Sequence, residues 1–123
     1  MKTTLLLLSL FFTTLLQAQS TACTAVLATV NAHIGEHVWF CGTPTQVSAP
    51  SNVKGDPVYL NFGGKYPNDI FAVVIWGEVS GKQRAKLVKR YTGKQLQIKG
   101  HVQERNGKPE IIVKELDDIK IGK

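Results

Sequence analysis

The sequence predicts one small all-β domain with a short helix at its N-terminus. Three observations predict it. The chain has 123 residues, a length that suits a single domain. From His37 onward its apolar residues fall in short runs and alternations bounded by Gly, Pro and Asn, which is the pattern of strands and turns. Asn106-Gly107 lies between two such runs and is a strong hairpin signal.

The first residues stand apart from that domain. Lys2 gives a positive start, and an apolar run over 5–16 follows, broken only by Ser9, Thr13 and Thr14. The run is shorter than the roughly 20 residues that a membrane span needs. Small residues at Ala18 and Ser20 come next. This is the pattern of an export signal over 1–18, cut after Ala18, which leaves 19–123 as a single domain, periplasmic or secreted. Two alternatives stay open: an uncleaved anchor, and a lipoprotein modified at Cys23. Against the second, Ser20 stands where an aliphatic residue is usual. No later segment is apolar enough to span a bilayer, so stable membrane insertion is not expected.

The elements follow in order. Residues 20–34 read as a short helix, with Ala22, Ala25, Val26, Thr29 and Val30 near the helical period and Gly35 as its stop. The first strand is 37–47 (HVWFCGTPTQV), with Gly42 as a bend and Pro44 near its end. Residues 48–57 form a loop by composition. The second strand is 58–62 (VYLNF), closed by Gly63-Gly64, and 65–69 is a turn. The third strand is 71–79 (FAVVIWGEV), whose continuous apolar character implies burial on both faces or cover from the N-terminal helix. The stretch 80–92 is polar and basic, a loop or one helical turn. The fourth strand is 95–104 and the fifth lies within 110–121, with Leu116, Ile119 and Ile121 packing back. Five strands with a break after the third, and Gly42 and Gly100 as bending points, fit a five-stranded Greek-key barrel of the OB type. An SH3-like barrel or an open sandwich is the structural alternative.

Charge and cysteines narrow the class. The net charge is +6. No acid lies between Glu78 and Glu104, while Lys82, Arg84, Lys86, Lys89, Arg90, Lys94 and Lys99 fall in that window. Such a stretch suits an anionic partner: single-stranded nucleic acid or another anionic polymer. A plain solvated face is the alternative. Cys23 and Cys41 would meet an oxidising compartment after export and are expected to form a disulfide, unless geometry keeps them apart as thiols.

Several segments resemble a known family. HIGEHVWFCGTPTQV resembles the opening of small exported bacterial OB-fold domains, VYLNFGGKYPNDIFAVVIW their middle, and YTGKQLQIKGHVQERNGKPEIIVKELDDIKI their end. The likeness runs from about Ala32 to Ile121. Members are similar to nucleic-acid-binding, anticodon-binding-like OB domains, some of which accompany secreted nucleases. The resemblance implies an OB barrel and a nucleic-acid partner. It carries over no hydrolytic activity, because no nuclease domain is attached.

An OB barrel binds oligonucleotides across its second and third strands, between the loops after strands one and four. Flat rings are needed for bases and cations for phosphates. Tyr59 and Trp76 are expected on one outer face, with Tyr66 extending it from the turn. Lys54 lies on the loop after strand one, and Arg105 and Lys108 flank the Asn106-Gly107 turn. Lys86, Lys89 and Arg90 come from the basic window. Trp39 is expected in the core or against the helix, and core packing is an alternative for Trp76 too.

Other chemistry is set aside. His33 and His37 have helical metal spacing, but Gly35 lies between them, and His101 is distant in sequence, so no metal is expected. Gly63-Gly64-Lys65 lacks the spacing of a phosphate loop. Ser48, Ser51 and Ser80 sit in no nucleophile elbow, and Asp117-Asp118 would point to opposite faces of a strand. The expectation is a binding module without cofactor or enzymatic activity. An envelope or secreted protein-interaction module with no nucleic-acid partner is the alternative.

Overall fold

A computed structural model describes residues 23–122. The export signal over 1–18 and the start of the expected helix therefore lie outside the described residues. The described residues form eight strands: β1 (Ala25–Val26), β2 (His37–Gly42), β3 (Gln46–Ser48), β4 (Val58–Phe62), β5 (Phe71–Ile75), β6 (Leu96–Arg105), β7 (Lys108–Ile112) and β8 (Ile119–Ile121). They make one mixed sheet in the order β1-β2-β6-β7-β5-β4-β3, with β8 on β6. One helical segment interrupts them, made of α1 (Gly77–Ser80), a 3₁₀ turn and α2 (Arg84–Tyr91).

Two expectations are corrected here. The fold is mostly β, but its helix stands between β5 and β6 and not at the N-terminus. Ala25 and Val26 instead pair parallel with Phe40 and Cys41. A disulfide joins Cys23 to Cys41, and the Thr24 N–H and hydroxyl both bond the Trp39 backbone. These ties draw the segment onto β2, and only a 3₁₀ turn, Val30–His33, remains of the helix. A short isolated helix has no means of resisting such capture. Conversely, 80–92 is helical because Leu87 and Tyr91, one turn apart, are both buried in the core.

Five strands were expected, and the ladder divides them into more. The first expected strand is interrupted over 43–45, and its two pieces pair with different neighbours, β2 with β6 and β3 with β4. The third stops at Ile75, and Trp76 begins the helical segment. The fifth divides into β7, a 3₁₀ turn (Leu116–Asp118) and β8.

Alternation builds the core. Val38 and Phe40, Leu60 and Phe62, Phe71 and Val73, Ile98 and Val102, and Ile111 all point into one apolar cluster. Gly100 sits where β6 changes partner from β2 to β7. A Cβ there would lie 2.5 Å from Ile111 Cγ2, so only glycine lets the strand cross that point.

Tyr91 carries a measurable consequence of packing. Its ring is 2% exposed. Burial raises its phenol above the ordinary 10.0, and the adjacent Arg90 charge partly opposes this. The folded state thus holds the proton more tightly than the unfolded one. The contribution is intact below the unfolded pKa and is lost as pH rises above it. We expect denaturation midpoints to fall as pH rises above the ordinary phenol value of 10.0, and Tyr91→Phe to flatten that fall.

Candidate nucleic-acid interface

The outer face of β3, β4, β5 and β7 holds two cross-strand rows. Register aligns Ser48, Tyr59, Val74 and Ile112 in one, and Gln46, Asn61, Ala72, Glu110 and Gln103 in the other. The first row is largely apolar, and Tyr59 is half-buried in it. The second is polar and internally paired. Asn61 Nδ2 donates to Gln46 Oε1 at 3.2 Å, and Gln103 Nε2 donates to Glu110 Oε1 at 2.8 Å. These bonds satisfy Asn61 and Glu110, which are only 3% and 5% exposed.

Trp76 closes one end of this face. Its backbone is still extended, φ −70° and ψ 156°, so it continues the outward parity of Ala72 and Val74. The indole is half-buried beneath Gly55 of the loop after β3. Gly55 has φ +90°, and a Cβ there would stand 3.0 Å from Trp76 Cε3. The Gly77 N–H donates to the Gly55 carbonyl at 2.8 Å. Lys54, next to this contact, is exposed.

Tyr66 stands at the other end, 77% exposed, on the turn after β4. Its N–H donates to Gln46 Oε1 at 3.1 Å. Lys108 Nζ donates to the Pro67 carbonyl at 2.7 Å and to Asp69 Oδ1 at 3.1 Å. Lys108 therefore pins the turn that carries Tyr66, and its charge is engaged. Arg105 pairs with it across the hairpin and is exposed.

The basic window divides. Arg84 turns inward: Nη2 donates to the Pro50 and Pro57 carbonyls at 2.8 and 3.1 Å, clasping both ends of the loop that covers Trp76. Asp56 lies 3.9 Å from its other terminal nitrogen. Lys86, Lys89 and Arg90 are exposed. At about 100° per residue they occupy the side of α2 away from Leu87 and Tyr91. They form a cationic strip on the helix. The structure thus gathers Tyr59, Trp76 and Lys54 toward one end and Tyr66, Arg105 and Lys108 at the other.

Sequence reasoning missed a second ring with cations. Trp39 is half-buried and points outward on β2, between the inward Val38 and Phe40; it is neither in the core nor under a helix. Lys120 Nζ and Lys99 Nζ lie 5.2 and 5.8 Å from its ring centroid, within cation–π range. Lys99 Nζ is also 3.8 Å from Asp118 Oδ1. The alternation of β2 was the available signal. The partners come from β6 and β8, far along the chain.

No family model matches this chain, and no curated protein matches it. Among solved structures, one of an aspartyl-tRNA synthetase from Leishmania major Friedlin is similar, with a TM-score of 0.50 and 13% identity. The likeness covers 85% of this chain and 22% of that one. This chain thus corresponds to a small part of that protein, and the likeness is one of fold. Among the described residues, no helix is long and apolar enough to cross a membrane.

Proposed function

We propose that this protein is an exported OB-type module that binds single-stranded nucleic acid across the outer face of β4 and β5 and is not an enzyme. The observation that carries this is the placement of Tyr59 and Trp76 on one outward face of a backbone similar to part of a tRNA synthetase. In this reading β2 and β3 are one strand bent over 43–45, since one piece pairs with β6 and the other with β4. The bend closes the five main segments into a Greek-key barrel. The leader-like run over 5–16 and the Cys23–Cys41 bond support export to an oxidising compartment.

Bases stack on Tyr59 and Trp76 while Lys54 and Arg105 meet phosphates at the two ends. Stacking contributes about 1–3 kcal/mol per base with little sequence preference, and phosphate contacts make the affinity salt-dependent. A fluorescent single-stranded oligonucleotide titrated at low and high salt tests it. Tyr59→Ala and Trp76→Ala should each weaken binding by roughly 5- to 150-fold. Tyr59→Phe keeps the ring and should bind nearly as wild type. The triple change Lys86→Glu, Lys89→Glu, Arg90→Glu should weaken binding and slow association, because it reverses an exposed cationic strip on α2. Wild-type protein that binds no oligonucleotide at micromolar concentration in low salt would overturn the proposal. The protein-docking reading would then gain from Tyr66 and Ile70, 77% and 51% exposed on one turn.

A further inference from the structure

The outer face of β2 and β6, away from the proposed nucleic-acid surface, brings together two histidines that lie far apart in the sequence. His37 is directly opposite His101 in the antiparallel ladder. The Val102 N–H donates to the Glu36 carbonyl at 2.9 Å, the bond that flanks a non-hydrogen-bonded pair. Side chains approach most closely at such pairs. The ring centroids are 5.4 Å apart with planes at 61°, and both residues are exposed. Among the described residues, neither ring is held by a side-chain hydrogen bond or an ion pair.

We propose that His37 and His101 together chelate one divalent transition-metal ion, of the class that prefers imidazole nitrogen. A metal–nitrogen bond of about 2.0–2.1 Å puts an imidazole centroid about 3.2 Å from the metal. Two rings at a tetrahedral angle then have centroids about 5.2 Å apart, and at a right angle about 4.5 Å. The observed 5.4 Å is within a few tenths of the tetrahedral value and about 0.9 Å beyond the right-angle value that divalent copper prefers, so the two rings are close enough to share one ion by side-chain rotation with the strands left in register. Imidazole favours copper, nickel and zinc over calcium and magnesium, and divalent copper binds most tightly in that series.

The neighbouring groups permit this. On the next outward pair, the Lys99 amine is drawn toward Trp39 and Asp118. His33 Nδ1 lies 3.2 Å from Glu36 Oε2, so that carboxylate is already engaged. No cluster of three or more His, Cys, Asp or Glu suited to a metal exists among the described residues. The site therefore has two protein ligands and water in its remaining positions, an open surface chelate and not a closed structural centre.

The test uses the full chain and copper(II) ion alone, in chelator-free buffer. Isothermal titration should give one ion per chain, and electron paramagnetic resonance should show hyperfine coupling to two imidazole nitrogens. His37→Ala and His101→Ala should each weaken binding by at least about tenfold and remove the two-nitrogen pattern. His33→Ala should leave both readouts as in wild type. Circular dichroism of each variant separates a lost ligand from lost folding, and both positions are exposed enough to tolerate alanine. Wild-type affinity or spectrum retained in either His37→Ala or His101→Ala would overturn the proposal. So would an absence of stoichiometric copper binding by wild type.

Discussion

Phe40→Ala is expected to lower unfolding free energy by about 3–5 kcal/mol, the usual cost of deleting a buried phenylalanine ring. Phe40 is 0% exposed. Its ring lies 4.9 Å from that of Phe62 and 4.4 Å from that of Phe71. Phe62 and Phe71 are register partners on β4 and β5, whereas Phe40 comes from β2, which is hydrogen-bonded to neither strand. The trio thus couples two parts of the sheet that the backbone ladder does not join directly. A small domain has about 5–15 kcal/mol in total, so the loss is a large fraction of it. Urea denaturation checks this. A change below about 1 kcal/mol would mean that the pocket collapses around the gap.

The double substitution Cys23→Ala, Cys41→Ala is expected to cost about 3 kcal/mol, on the chain-entropy estimate for a loop of this length. The bridged residues are 18 apart in sequence. The tether also has a local role. β1 is only two residues long, and its parallel pairing rests on the Cys23–Cys41 bond and the Thr24–Trp39 hydrogen bonds. Hydrogen exchange should therefore show the Thr24 amide, which donates to the Trp39 carbonyl at 2.9 Å, losing protection before any core amide. Equal denaturation midpoints for oxidised and reduced wild-type protein would refute the estimate.

The candidate interface was legible in residue type and only partly in arrangement. Tyr59 and Trp76 were readable as neighbours because each alternates out of phase with an apolar strand, and the two strands adjoin. The cations were not readable in this way. Arg84 and Lys108 look as free in the sequence as Lys86 does. Yet Arg84 clasps the Pro50 and Pro57 carbonyls, and Lys108 holds Asp69 and Pro67. A side chain that ends on a backbone carbonyl from another loop leaves no local signature. The helical segment was underread for a related reason. Within 80–92, Leu87 and Tyr91 matter through what they pack on, and intrinsic propensity over one or two turns is too weak to reveal that.

Local chemistry was enough to place the Asn106-Gly107 hairpin, the strand 58–62, the start of the strand expected over 71–79, and the cationic stretch between Glu78 and Glu104. Those features depend on neighbours a few residues apart, where turn preference and side-chain period act directly. Tertiary structure alone decided that Ala25 and Val26 join a sheet, that Trp39 faces outward between two lysines, and that His37 meets His101. Each of these outcomes depends on strand register between segments separated by more than a loop. Register is set by the shared core and the Cys23–Cys41 tether, and neither acts until the chain has folded around them.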